Sequence, residues 1–335
     1  MFSIRSSLVL ALTLTIGSVI TCSTMADESA SSNGNIAELA AMLQSIDPYR
    51  PAHQVTGKVV VYGSSSMDAL AHGWANSFKE FHNGADIQIF GSNSELAFQQ
   101  LIETPSGIAM LSRPVLDDEL EQLKQQGLKN PVAFTVAREA LAVFVHESNP
   151  AVSISGQQLR EIFKESSSLP QWSWLTTDAS WSPKPIHLIS RTDTCGTQKY
   201  LRDYVFHSTT MRESLSQHTS NAEVLKAVGQ DPLGIAICGM RSRGDHVKVL
   251  QLTAGDKVIP SDDHAVLSGE YPLTRPLTLV IDVGQSDALA LASQEFVRFA
   301  LCRAGQREAI LVGFFPVDLP LLRAGLGRLD APAVR

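Results

Sequence analysis

Val59-Val60-Val61-Tyr62-Gly63-Ser64-Ser65-Ser66 reads as a buried strand running straight into a polar turn. Three consecutive β-branched residues suit a strand covered on both faces. From Met67 to Phe81 the period changes, and Leu70, Trp74, Phe78 and Phe81 fall at helical spacing. The same order recurs downstream. A strand over Asp86 to Phe90 leads into Gly91-Ser92-Asn93-Ser94 and a helix through Leu101. Ile108 to Leu111 is a third strand, and Asp117 to Gln126 is a charged helix stopped by Gly127. Strands are expected at Ala140 to Val145, Ile186 to Ile189, Ile235 to Cys238 and Leu277 to Ile281. Helices are expected at Ser155 to Lys164, Thr197 to Tyr204, Asn221 to Val228 and Ala288 to Ala300. Thr253 to Ser268 reads as loop. Strands alternating with helices predict an α/β fold with mostly parallel sheets.

The chain has 335 residues, which suits two domains rather than one core. With 44% apolar and 18% charged residues it is of ordinary globular composition. The formal net charge is -7, and no Lys/Arg run of the kind that tracks nucleic acid is present, which argues against that partner. An acidic protein that binds an anion must create positive potential locally, from helix N-termini and a few arginines.

The N-terminus reads as a targeting segment. Arg5 is followed by the apolar stretch Leu8 to Ile20, too short to span a bilayer comfortably. Thr24-Met25-Ala26 supplies a small-x-small cleavage site. This predicts a signal peptide over residues 1–26 and a periplasmic or extracytoplasmic protein. Val19-Ile20-Thr21-Cys22 is a rival lipidation site, weakened by Thr before the cysteine. Asp27 to Asn35 is Ser/Asn/Asp-rich and reads as a disordered tether within a linker over residues 27–55. Four cysteines are present; Cys22 belongs to the leader, and the remaining Cys195, Cys238 and Cys302 are odd in number, so this is no disulfide scaffold. Cys238 lies in an apolar run and reads as a core residue.

Three turns share one chemistry: Gly63 to Ser66, Gly91 to Ser94, and Arg191-Thr192-Asp193-Thr194-Cys195-Gly196-Thr197. Each opens a helix after a strand. Helix N-termini leave backbone N–H groups unpaired and carry partial positive charge, and hydroxyls add rotatable donors. Such turns converging on one cleft would cage an anion. Singly, each reads as an ordinary N-cap. Arg191 can grip two oxygens of an oxyanion, with Asp193 holding the guanidinium. Neither GxxxxGK[S/T] nor GxGxxG is present, and no cofactor is called for.

The loop Arg191 to Thr197 resembles the R-x-N/D-x-S-G-T loop of the PstS-like phosphate-binding proteins of ABC transporters. The Val59 to Ser66 strand and turn, Gly91 to Ser94, Leu111-Ser112-Arg113-Pro114, Asn149-Pro150 with Gln158-Leu159 and Ile162-Phe163, and Tyr271-Pro272-Leu273-Thr274-Arg275-Pro276-Leu277 resemble further segments of that family in the same order. The likeness spans roughly residues 55–318. It implies a two-lobe type II periplasmic-binding fold, with two crossing strands and inorganic phosphate or a similar oxyanion in the cleft. It also implies the permease subunits of an ABC importer as membrane partners. Lobe I is expected over about residues 56–141 and 266–335, and lobe II over 142–265. The implied ligand contacts are Ser65, Ser66, Ser94, Arg113, Arg191, Asp193, Cys195, Gly196 and Thr197.

Four positions depart from the family pattern. Cys195 stands for the usual Ser, Glu95 for a Gly, and Ser106 for an Asp. Arg113 occupies a place where some members carry an Asp that accepts a ligand proton. A donor-only side chain cannot read that proton, so weaker rejection of sulfate or arsenate is expected. A hydrolase using Cys195 as nucleophile is the competing class, though no histidine is placed by sequence to serve it. A sensor or adhesion module on the same fold is a third reading.

Overall fold

In the computed structural model the structure describes residues 39–165, 168–192, 196–208, 210–214 and 216–331. The expected leader, its cleavage site, Cys22 and the tether lie outside them. The valine run sits inside β1 (Thr56–Ser64), which pairs in parallel with β2 (Gly84–Ser92) and β3 (Ile108–Leu111). Between β1 and β2 the helix Asp68–Phe81 buries Leu70, Trp74 and Phe78, while Phe81 stays 40% exposed. Gly63 has φ +143°, and a Cβ there would lie 2.0 Å from the Met110 carbonyl oxygen. Only glycine lets β1 and β3 approach this closely just before the serine turn.

β4 (Pro131–His146) joins two halves of the molecule. Its first part, to Ala140, pairs antiparallel with β11 (Thr274–Asp282), which itself pairs with β3. From Leu141 onward β4 changes partners and pairs antiparallel with β8 (Gly234–Gly239) and β9 (Val247–Ala254). Between β4 and β8, in chain order, come β5 (Ser153–Ser155), β6 (His187–Arg191) and β7 (Ser216–His218); β10 (Lys257–Ile259) follows β9. β6 pairs in parallel with β7 and β8. The Leu141 N–H also donates to the Leu273 carbonyl at 2.8 Å, so the outgoing and returning chains cross side by side.

Each half has its own apolar core. Val59, Trp74, Phe78, Phe134, Leu277, Phe296 and Phe299 cluster on one side. Val143, Leu159, Trp172, Leu188, Val224, Ile235, Cys238 and Leu250 cluster on the other. A smaller cluster under the helix Ser94–Glu103 contains Leu101, Leu111, Leu123 and Val280. Fully burying one such aromatic or aliphatic side chain contributes roughly 1.5–3 kcal/mol. The two larger clusters lie on either side of the point where β4 changes partners.

Several elements differ from the sequence expectation. The sheets are mixed rather than mostly parallel, because β4 and β11 run against their neighbours. The strand expected at Ala140 to Val145 is only the tail of β4. Its upstream part is interrupted by Thr135, Arg138 and Glu139, so it does not join the Ala140 to Val145 run as one apolar stretch. β9 was not foreseen, and the expected loop Thr253 to Ser268 holds β10 and the helix Asp263–Leu267. The helix expected to Tyr204 is α-helical over Gly196–Tyr200 and π-helical over Leu201–Val205.

Candidate functional site

The serine turns meet at one point. Ser64 closes β1, is 1% exposed, and its Oγ lies 2.7 Å from the Ser112 Oγ just beyond β3. Ser94 opens the helix Ser94–Glu103, and its Oγ accepts from the Ser112 N–H at 3.4 Å. Asn93, not Ser94, is the cap: its Oδ1 accepts from the N–H groups of Glu95 and Leu96. From the other half comes Gly196. A Cβ on it would lie 2.7 Å from Ser112 Oγ, 2.8 Å from Ser66 Oγ and 2.9 Å from Ser64 Oγ. Three hydroxyls of one half therefore crowd the first residue of a helix belonging to the other.

Beside this contact lies a cavity of about 260 Å³, bounded by Ser66, Glu139, Arg191, Thr197, Asn221 and Arg241 among others. Arg191 ends β6, and its Nη1 donates to Asn221 Oδ1 at 3.1 Å. Its Nε is buried with no hydrogen-bond partner among the described residues. A buried guanidinium N–H without an acceptor is costly, so a ligand acceptor would stabilise it. Arg275, on β11, is wholly buried. Its Nε and Nη2 donate to Glu139 Oε2 at 2.9 and 2.6 Å, its Nη1 to the Gly196 carbonyl at 2.7 Å, and its Nη2 to Thr197 Oγ1 at 3.0 Å. With one lone pair taken by Arg275, the Thr197 hydroxyl is free to donate into the cavity. Arg241 is spent elsewhere: Asp263 takes its Nε and Nη2, and the Phe314 carbonyl its Nη1.

Of the expected site residues, Ser66, Arg191 and Thr197 line this cavity, and Gly196 touches Ser66 at its edge. Ser94 reaches the cluster through Ser112. Ser65 is exposed. Asp193 and Cys195 lie outside the described residues; among the described residues Arg191 donates to Asn221. Arg113 is not brought to this cavity. It is 7% exposed and grips Glu119 with Nη1 at 2.9 Å and Nη2 at 2.6 Å, with Glu95 3.7 Å from its Nε. The reason is local: Glu119 sits in the first turn of the helix Asp117–Gln125, within reach of position 113. Burial works against the charge of Arg113, but the Glu119 bond and charge outweigh it and hold its pKa above the ordinary value. Glu95, the carboxylate that would repel an anion if it faced inward, turns instead to Arg113 and Lys199.

Sequence reasoning missed Ser112, Asn221, Glu139 and Arg275 as site residues. Ser112 and Arg275 stood in the quoted family-like segments. Glu139 had no local signal: Arg138 beside it reads as an ordinary charged neighbour in sequence, and the partner it actually takes, Arg275, comes from a distant strand. Among the described residues the polar lining is mostly donors with one carboxylate, Glu139, which suits a small oxyanion. Among the described residues no group of His, Cys, Asp or Glu could hold a metal ion.

Two α/β halves joined by crossing strands, with a polar cavity at their seam, define a two-lobe binding-protein fold. The chain belongs to the PBP superfamily, whose domain model matches residues 50–304. It is similar to the phosphate-binding protein PstS of Pseudomonas aeruginosa, 27% identical over 302 residues that cover 87% of this chain and 94% of the relative. Among solved structures it is similar in fold to a possible phosphate-binding protein from Planctomyces limnophilus. The TM-score is 0.66 at 22% identity, covering 84% of this chain and all of the other. An ABC-type phosphate transport receptor from Vibrio cholerae gives a TM-score of 0.64 at 19% identity, covering 78% of this chain and all of the other.

Proposed function

We propose that this protein is an exported solute-binding protein that captures inorganic phosphate between its halves and presents it to the permease of an ABC-type importer. The observation that carries the reading is the meeting of Ser64, Ser66 and Ser112 with Gly196, beside an Arg191 whose buried Nε has no partner among the described residues. Names of relatives similar over most of the chain point the same way. The ligand contacts are Ser66, Arg191, Gly196 and Thr197, with Ser65, Ser94, Asp193 and Cys195 as further members of the same turns. Arg113 acts by positioning the Asp117–Gln125 helix rather than by touching the anion. The lobes are taken as residues 56–141 with 266–335, and residues 142–265, a division supported by the two apolar cores. Residues 1–26 serve as a signal peptide, giving an extracytoplasmic location; a lipid anchor at Cys22 is the less favoured alternative. No helix among the described residues is long and apolar enough to cross a membrane.

Calorimetry with inorganic phosphate tests this. The wild-type protein binds one phosphate, and Arg191→Ala weakens binding by about 30-fold to several thousand-fold while the protein stays folded. A folded wild type that binds no phosphate overturns the reading.

A further inference from the structure

We infer that Glu139 is the residue that reads whether a ligand oxygen carries a proton. The inference rests on the phosphate reading above and names the group that sets its specificity. Glu139 lies directly opposite Arg275 in the β4–β11 pairing, at the point where the chain crosses between the halves. Its side chain is 8% exposed. Arg275 approaches only one edge of the carboxylate: both contacting nitrogens reach Oε2. Among the described residues Oε1 has no hydrogen-bond partner. It lies 3.4 Å from where a Cβ on Gly239 would stand, and Glu139 and Gly239 both bound the cavity. A bulkier residue at 239 would crowd that carboxylate edge.

Among the described residues, the rest of the polar wall is Ser66, Arg191, Thr197, Asn221, Arg241 and Ser242, all of which can donate. Arg191 can only donate, and the Ser66 and Thr197 hydroxyls can turn to donate. A wall of donors holds any tetrahedral oxyanion and does not distinguish phosphate from sulfate. Oε1 of an ionised Glu139 can only accept. A ligand oxygen bearing hydrogen gives it a charge-assisted bond. A bare anionic oxygen sets two negative groups face to face beside the buried Glu139, which disfavours binding. Near neutral pH phosphate and arsenate still carry a proton, whereas sulfate does not. The acceptor missing at position 113 is thereby supplied from a different strand, and sulfate is rejected more sharply than Arg113 alone would lead one to expect.

Titration calorimetry of wild type, Glu139→Gln and Glu139→Asp with inorganic phosphate and with sulfate decides this. Glu139→Gln keeps the shape and an oxygen for Arg275 but can turn an N–H toward the cavity. The expected result is a fall in the phosphate-to-sulfate affinity ratio of roughly 100-fold, driven by gain of sulfate binding. The ratio is the readout because removing one negative charge favours both anions alike. A folded Glu139→Gln protein with the wild-type ratio overturns the inference. If Glu139→Gln fails to fold, Glu139→Asp keeps the charge and withdraws the acceptor from the ligand. Phosphate should then weaken about 10-fold with sulfate still excluded, and unchanged phosphate affinity overturns the inference. Wild type that binds phosphate while the variants behave this wrong way sinks the role of Glu139 alone. Wild type that binds neither phosphate nor arsenate sinks the phosphate reading and this inference together.

Discussion

Lys199 Nζ lies 3.4 Å from Glu95 Oε1, a charge pair that links the helix after the Arg191 loop to the helix after the second serine turn. These helices belong to opposite halves, so the pair bridges the seam between them. Both side chains are partly exposed, at 35% and 47%, and Lys199 also holds Asp203 at 2.8 Å. Exposed pairs of this kind are worth about 0.2–1 kcal/mol. A double-mutant cycle of Glu95→Gln and Lys199→Met, read in phosphate affinity, should give a coupling of that size that fades in high salt. Zero coupling at low salt would show that the pair plays no part in closure.

Gly196→Ala places a methyl group where three serine oxygens already stand within 2.9 Å. The clash lies between the halves rather than inside either core. Overpacking of this kind costs about 1–3 kcal/mol, so phosphate affinity should fall about 5- to 150-fold while the melting temperature without ligand barely moves. Calorimetry with small-angle scattering checks it; a closed, tight-binding Gly196→Ala protein would remove the contact from the closed state.

Arg113→Ala should damage stability more than binding. Removing Arg113 leaves Glu119 half-buried and unpaired, at a cost of about 2–3 kcal/mol, below the 3–5 kcal/mol of a fully buried pair because Glu119 is partly exposed. Burial pushes the Glu119 carboxyl up, but the Arg113 bond, the Leu116 N–H and the Arg113 charge more than offset it and hold the carboxyl below its ordinary value. The contribution is therefore full above the unfolded value, about 4.3, and is lost as pH falls through the lower folded value. Chemical denaturation of wild type and Arg113→Ala at pH 7 and in acid should give curves that converge in acid. A stable variant with phosphate affinity reduced a hundredfold would return Arg113 to the anion.

The His82 imidazole accepts from the Val55 N–H at Nδ1 and meets the Tyr49 hydroxyl at Nε2, 2.6 Å away, while Tyr49 donates to the buried Glu295. Burial lowers the His82 pKa, partly opposed by Glu295. The unfolded chain takes up a proton near pH 6.5 that the native protein resists. Stability present at neutral pH should therefore decline as pH falls below about 6.5. Tyr49→Phe leaves Glu295 short of a donor and should cost about 1–3 kcal/mol. Melting curves between pH 5 and 8 test both; an acid-insensitive midpoint in that window would exclude the His82 effect.

The order of strands and helices could be read from Val59 to Tyr62, Ile108 to Leu111 and the serine turns, because period and turn chemistry are local. β9 and the first part of β4 could not, because their alternation becomes meaningful only against partners far away in the chain. The site divides in the same way. Ser66, Arg191, Gly196 and Thr197 announce themselves as donors at the start of a helix. Glu139 does not, since its partner Arg275 is 136 residues away.

By itself, then, the sequence determined an α/β chain with three donor-rich turns, because a strand, a turn and a helix N-terminus are each written in a few neighbouring residues. Tertiary structure alone decided which turns meet and which charges are already spent. Arg113 and Arg191 are the same side chain in similar loops. Arg113 finds Glu119 six residues on and is neutralised there; among the described residues Arg191 finds the uncharged Asn221 and keeps a buried N–H without a partner, which is what lets it be proposed as the anion's grip. Electrostatic availability depends on every charge within a few ångströms, and those neighbours come from distant parts of the chain.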